Sequence, residues 1–412
     1  MHSSVKTDFD IVIVGGGMIG VSMALAISSL NLRIAVIEKV RREHQSQPSF
    51  DDRSTALSRS SQSMFTALGV WDQIHDASMP IKSIHVSDQG RFGFSHITAE
   101  EQEVEALGYV VINRVLGDVL LDNAKKKSNV HFFCPAEITS VEFQEDYCNV
   151  KFKSQDSKNS ISSQLLIAAD GANSGIRDFL GIGMKQINYD QVAIIGNLLT
   201  EKPIASRAFE RFLESGSIAL LPINKGRAAF IWIIPTKDAE NLMSAPENIF
   251  LSAIQEVFGL RLGIFSSLGE RVSYPLALTE AQRLYSRRSV IIGNAANSLH
   301  PVAAQGFNLG LRDVATLADC IYKETLKNKS DLGNPNLLFE YSEWRQHDHK
   351  KLKFFTDGLV RLFGSQRKSV RILRNAGMMY FDLIPGFRKL FIKHTMGLTG
   401  RLPSLSRGIA FK

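Results

Sequence analysis

Cysteine is scarce in this chain: three in 412 residues, Cys134, Cys148 and Cys320, with no C-x-x-C pair among them. Such spacing excludes a disulfide framework and supplies no metal-ligand set, so no metal is expected. A reducing cytosol is the expected setting, with all three thiols buried and inert. Long apolar runs are missing too. None approaches the ~20 residues that a membrane-spanning helix needs, and residues 1–8 are polar, without the apolar core of a secretory signal. These absences predict a cytoplasmic protein, peripheral at the inner face of a membrane if it meets one. Acidic residues are missing from one region only. Lys350 to Lys412 holds 14 Lys and Arg against 2 acids, Asp357 and Asp382, a net +12, whereas residues 1–349 carry 34 against 39, a net −5. The overall charge of +7 is therefore a property of the tail. The rest is ordinary: 44% hydrophobic and 22% charged residues, in a length sufficient for two domains and a sizeable core.

The first apolar run organises the rest of the chain. Ile11 to Val14 is a β-branched run suited to a strand buried on both faces, and Gly15, Gly17 and Gly20 complete a G-x-G-x-x-G directly after it. Gly15 allows the tight turn, Gly17 lets backbone approach a diphosphate, and Gly20 lets the next helix pack on the strand. Residues 18–30 are small, apolar and free of proline, so Met18 and Ile19 open a helix whose N-terminus faces that diphosphate. A second strand, 33–37, ends at Glu38. A carboxylate there accepts from both hydroxyls of an adenosine ribose and repels a 2′-phosphate, which argues against NADP at this site. The order strand, glycines, helix, strand, acid points to a dinucleotide. It does not separate FAD from NAD.

Further along, residues 41–53 read as a loop, and Arg53 to Leu57 enters a helical pattern that continues to Gly69. Arg53 reads equally as a ligand contact or as a surface arginine. Residues 81–95 alternate as a hairpin around Asp88-Gln89-Gly90, and 96–107 is acidic and expected to be exposed. Asn113 begins a helix with Leu116, Leu120 and Leu121 on one face, and Arg114 at its start has the planar fork that suits a diphosphate or ribose. Short strands at 130–134, 138–143 and 147–153 follow. Next, Leu165 to Ala169 is a buried strand that delivers Asp170 to its C-terminal end, where α/β folds keep their ligand crevice, and Gly171 permits a sharp turn there.

From about 185 to 275 the pattern becomes β without helical crossovers, predicting a mostly antiparallel sheet that roofs a cavity for an apolar substrate. Phe209, Phe212, Leu220, Phe230 and Trp232 are its candidate lining. Ser289 to Gly293 is again a buried strand, followed by Asn294, His300 and then Gln305-Gly306-Phe307-Asn308-Leu309-Gly310 opening a helix. Amides at that helix start present a positive dipole end. His300 and Gln305 are candidates for positions near the reacting ring, although a histidine before proline also serves simply to fix a turn.

Taken together, these segments resemble the aromatic hydroxylase group of flavoprotein monooxygenases, the p-hydroxybenzoate hydroxylase fold, over at least residues 9–325. The resemblance implies an α/β, Rossmann-type FAD-binding domain with an inserted antiparallel substrate domain and a C-terminal helical region. It divides the chain into FAD-binding parts at 1–80, 108–184 and 276–345, a hairpin and connector at 81–107, the β-sheet substrate domain at 185–275, and the basic helical region at 346–412. It implies FAD on the first motif, contact from an arginine in the position of Arg114, a dual FAD and NAD(P)H role for Asp170-Gly171, and Gly293, Asn294, Gly306, Phe307 and Asn308 around the ribitol and ring. NADH or NADPH would bind transiently and O₂ would be the oxidant. Asn294 stands where the family usually has aspartate; its amide oxygen also accepts from a hydroxyl, without the charge.

The block from Gly293 to Asp313, residues 50–58 and 401–408 resemble the branch that hydroxylates polyprenylphenols in ubiquinone biosynthesis. That implies a lipophilic prenylphenol substrate. The tail agrees physically: apolar residues at 354–398 interleave with its lysines and arginines, a pattern that suits an anionic membrane surface or partner proteins of the same pathway through 350–412, and not nucleic acid. Two other classes compete. Phe230-Ile231-Trp232-Ile233-Ile234-Pro235 nearly matches the W-x-W-x-I-P motif of flavin-dependent halogenases, but no lysine equivalent to theirs is evident; a non-catalytic flavin- or lipid-binding protein is the other.

Overall fold

In a computed structural model, the described residues are 6–42, 52–89, 94–155, 157–224, 226–298, 305–327, 330–364, 392–393 and 395–411. A parallel sheet lies at the centre. Strand Phe9–Val14 runs between Ser157–Ala168 and Ile34–Ile37, with Val130–Phe133 beyond the latter and Ser289–Ile291 beyond the former. Register pairs Val14 with both Ile37 and Ala168, and Ala168 with Ile291. Four strand ends are thereby aligned on one edge. Ile11, Val12, Ile13 and the run Ile34–Ile37 are at most 1% exposed, which is why these strands show no polar alternation. Helices Met18–Ile27, Asn113–Lys125 and Gln305–Thr325 pack together beside the sheet. A ribbon of Glu137–Phe143, Cys148–Ser154 and the outer half of Ser157–Ala168 is antiparallel. Phe152 of that ribbon meets Phe133 with 5.2 Å between ring centroids.

Three expectations need correction. Residues 54–58 are a strand, not helix: Ser54–Ser58 pairs antiparallel with Gly108–Ile112, and the helix starts only at Arg59, where the Ser58 hydroxyl accepts from the Ser61 N–H at 3.3 Å. Cys148 and Cys320 are buried but Cys134 is exposed, because it follows the edge strand of the sheet. In the segment 96–107, the acids Glu100, Glu101, Glu103 and Glu105 are exposed as expected, yet Ile97, Ala99, Ala106 and Leu107 are buried.

The second sheet is nine-stranded and mostly antiparallel, built on Met184–Thr200, Arg207–Leu213, Gly216–Pro222, Arg227–Pro235 and Val272–Ala281. The hairpin Ser83–Asp88 and Phe94–Thr98 extends it through a parallel pairing with Arg207–Leu213. Two helices that the β pattern of this region did not suggest, Thr236–Ser244 and Glu247–Phe258, cover one face. That face takes the aromatic stripe. Phe209, Leu220, Phe230 and Trp232 pack on Phe250, Ile254 and Phe258, so they form core and do not line a cavity. Of the five expected lining residues only Phe212 lies on the opposite face, since it is in register with Ser217 and Ile233. On this inner face Ala208, Leu221 and Ala229 pack against Ile81, Val110 and Ala56, which belong to a three-stranded sheet between the two large ones.

Helix Pro335–Gly364 leads into the basic tail, whose apolar residues at 365–391 lie outside the described residues. Beyond them the chain returns to the body. Ile392 and Met396 are buried with Ile97 and Leu107, Leu405 is 1% exposed, and Phe411 stacks on Tyr322 with centroids 4.8 Å apart. Among the described residues no helix is long and apolar enough to cross a membrane.

Candidate functional site

The aligned ends of the parallel strands are where Gly15, Glu38, Asp170 and Gly293 meet. Gly15 takes φ +104°, and a Cβ there would fall 2.4 Å from the Ala169 carbonyl oxygen. A Cβ at Gly20 would sit 1.8 Å from the carbonyl oxygen of Gly15. Neither position admits another residue without moving backbone. Gly17 is the N-cap of Met18–Ile27 and brings no side chain of its own to that helix start, whose positive end is turned toward the strand ends. Glu38 reaches across the turn: one carboxylate oxygen accepts from the Gly16 N–H at 2.5 Å and the other from Val40 at 2.7 Å.

Asp170 stands beside this turn. Its Oδ2 accepts from the Ile176 N–H at 3.1 Å, while Oδ1 is buried with no hydrogen-bond partner. Burial pushes the carboxyl up, and the hydrogen bonds from Ser174 and Ile176 hold it back. Arg177 donates to the Ala172 carbonyl at 3.0 Å and the Ala295 carbonyl at 3.3 Å, which ties the Asp170-Gly171 turn to the Gly293 turn. Ile19 completes the circle. A Cβ added at Gly310 would come within 2.8 Å of its Cδ1, and one at Gly293 within 3.1 Å of its Cγ2, so the first motif and the third block are in direct contact. An unpartnered buried acceptor, a helix start led by glycine and glycine-only approaches are what a bulky polar group such as a dinucleotide requires.

The remaining candidates fall around this edge. Arg53 donates to the Tyr274 hydroxyl and lies over its ring at 5.1 Å, while Arg114 donates to Asp52 Oδ1 at 3.1 Å. The Asn113 N–H donates to the Arg53 carbonyl at 2.8 Å, so the two arginines enter the same region side by side. Asn294 is exposed in the turn after Gly293, and Gly306 and Phe307 lie in the first turn of Gln305–Thr325. Asn308 is buried: its Oδ1 accepts from Ser58 at 2.8 Å and Ser61 at 2.7 Å, and its Nδ2 donates to Ala56 at 2.9 Å. Its amide therefore ties the third block to the strand after Arg53. His300 lies outside the described residues, and Gln305 is described only as the first residue of its helix.

One cluster gives no such signal in the sequence. Asp313 Oδ2 accepts from the Gly293 N–H at 2.9 Å, and Oδ1 accepts from Arg345 Nε at 2.7 Å and lies 2.9 Å from His349 Nε2. Arg345 and Arg312 both reach Asp348 Oδ2, at 2.7 and 2.8 Å, and Arg312 also donates to the Thr399 carbonyl at 3.0 Å. Burial pulls Asp313 up, but Arg345 and His349 outweigh it and hold the carboxyl below its usual range. An acid inside the apolar face of a helix hints that a partner exists. Nothing in the sequence says that the partner is Arg345, 32 residues on.

Residues 8–352 match the FAD binding domain family. The chain belongs to that family. It is 32% identical over 403 residues to the ubiquinone hydroxylase UbiL of Rhodospirillum rubrum, covering 97% of this chain and 93% of that one. The 3-demethoxyubiquinol 3-hydroxylase of Escherichia coli is 27% identical over 394 residues, covering 94% and 98%. In fold it is similar to the crystal structure of p-nitrophenol 4-monooxygenase PnpA from Pseudomonas putida DLL-E4, with a TM-score of 0.79 at 17% identity over 95% of this chain and 98% of that one. The protein is thus an FAD-dependent monooxygenase of the p-hydroxybenzoate hydroxylase fold, and NAD(P)H and O₂ are its co-substrates.

Proposed function

We propose that this enzyme hydroxylates the aromatic ring of a polyprenylphenol in ubiquinone biosynthesis, taking 2-polyprenyl-6-methoxyphenol to 2-polyprenyl-6-methoxy-1,4-benzoquinol. The observation that carries the reading is 32% identity to a ubiquinone hydroxylase across nearly the whole of both chains, tail included. When bound, FAD supplies the electron relay from NAD(P)H to O₂ that allows one oxygen atom to enter an electron-rich ring. The chain's own residues hold the cofactor and keep water out. The Gly15–Gly17 turn and the start of Met18–Ile27 cradle the diphosphate, and Glu38 takes the adenosine ribose. Arg53 and Arg114 would supply cationic donors to the cofactor, and Asp170 Oδ1 would accept a hydrogen bond from it. Gly293, Asn294 and the first turn of Gln305–Thr325, with its positive dipole end, would hold the ribitol and ring.

The basic stretch 350–412 brings the enzyme to an anionic membrane surface, where such a substrate resides, or to other proteins of the pathway. Deleting the gene and identifying the quinone precursor that accumulates tests the assignment. Accumulation of a prenylphenol lacking one ring hydroxyl is expected. Unchanged quinone levels with no such precursor would remove it.

A further inference from the structure

The inner face of the nine-stranded sheet is covered in some places and more exposed in others. Strand alternation puts Ala208, Glu210 and Phe212 on that face, opposite Phe209. Across the sheet, Glu210 is in register with Ala219, Ala219 with Ile231, and Ile231 with Ile195. All four are only partly buried. In the row before them Ala208, Leu221 and Ala229 are buried against the small sheet and Asn197, at its end, is partly exposed; the row after them, Phe212, Ser217, Ile233 and Ala193, is buried. Between these rows one transverse strip is partly exposed along its whole length, with three apolar side chains and a single carboxyl at its end. Beyond it stands Tyr274, in register with Ala193, against which Arg53 is held.

We infer that this strip is where the substrate ring lies and that Glu210 is the base which accepts the proton of its ring hydroxyl. The inference rests on the phenol hydroxylation proposed above. As oxygen enters the ring, the phenol O–H bond breaks, the proton passes to a Glu210 carboxylate oxygen, and the electron pair stays on the substrate oxygen and feeds the ring. The proton transfer itself changes no oxidation state; the entering oxygen atom comes from O₂, whose other atom leaves as water at the expense of NAD(P)H, as the monooxygenase activity supplies. Such a base works best with a pKa close to the working pH. The Glu210 residue is partly exposed but its carboxyl is enclosed, which pushes it up to about 7, and the Ser217 hydroxyl that hydrogen-bonds to it holds it back. Around it, Val86 is its neighbour across the parallel pairing, Asp88 lies one inward position further, and the helix Pro335–Gly364 approaches its strand.

The test uses the FAD-loaded full chain and a single-isoprene 2-methoxy-6-prenylphenol. Wild type is expected to hydroxylate with a rate that rises through about pH 7 and to lose about tenfold in phenol affinity, read from the flavin spectrum, as Glu210 is protonated. Glu210→Gln is expected to lower the oxygen-transfer rate about 100-fold and to flatten both profiles. Ser217→Ala, which leaves the carboxyl in place, is expected to shift both midpoints to higher pH. Hydroxylation that keeps its pH profile and rate in Glu210→Gln, or midpoints unmoved in Ser217→Ala, would overturn the role of Glu210 alone. A flavin-loaded wild type that binds no prenylphenol at any pH would overturn the substrate reading and this inference with it.

Discussion

The two large sheets were unequally legible, and the reason is what covers their faces. In the parallel sheet the central strands are buried on both faces, and the candidate site residues stand next to the strand ends. Gly15, Glu38, Asp170 and Gly293 each follow directly on an apolar run, so local sequence is enough to locate them. The antiparallel sheet is also apolar on both faces, but its faces do different work. One is sealed by Thr236–Ser244 and Glu247–Phe258, the other looks inward. Alternation tells Phe230 from Ile231 but not which of them is inside. Size misleads here, because the large aromatics went to the helix-covered core and the smaller aliphatics to the inner surface.

The parallel sheet should break most severely where backbone meets backbone. Gly20→Val places side-chain atoms where the Gly15 carbonyl already lies, and we expect a colourless protein with FAD retention lost and a stability cost above about 3 kcal/mol, read by flavin absorbance and denaturant titration. Asp313→Ala should cost about 3 kcal/mol in the same titration, because it removes one of the two carboxylates of fully buried Arg345 and leaves it to share Asp348 with Arg312. It also removes the acceptor of the Gly293 N–H, so FAD should bind more weakly.

The face assignment of the second sheet is sharpened by neighbouring substitutions. Phe230→Ala should cost about 3–5 kcal/mol and leave phenol affinity unchanged once folded. Ile231→Ala should cost less stability, since that side chain is partly exposed, and should weaken prenylphenol binding several-fold. The reverse pattern would exchange the two faces.

The smallest effect concerns pH. Burial first, then Arg261, His96, Arg207 and Arg211, drive His85 from 6.5 down to about 4. Between those values the unfolded chain binds a proton that the folded chain refuses, so stability falls as pH drops through that window and is fully present above it. His85→Gln should make that acid-side loss shallower, as followed by thermal unfolding from about pH 7 to 4.

Much of the site was legible for the same reason as the parallel sheet: turns, strand ends and helix starts carry short-range signals. The strand at Ser54–Ser58 was not, because its hydrogen bonds come from Gly108–Ile112, more than fifty residues away, while its composition fits a helix equally well. Asp313, Arg345 and His349 are hidden likewise. Each is an ordinary polar residue in a helix, and only the crossing of Gln305–Thr325 with Pro335–Gly364 makes them a buried network. The carboxyl of Glu210 reads as half of an alternating strand until the partly exposed strip beside it is seen.

The central claim is that the turns at Gly15, Asp170 and Gly293 serve one bound FAD. Its most direct test is equilibrium FAD binding to the purified apoprotein and to variants altered singly at those turns, each checked for native circular dichroism. Tight binding by wild type, weakened by every one of the three changes, is the predicted result. A folded variant at any of the three turns that binds FAD as tightly as wild type would contradict it.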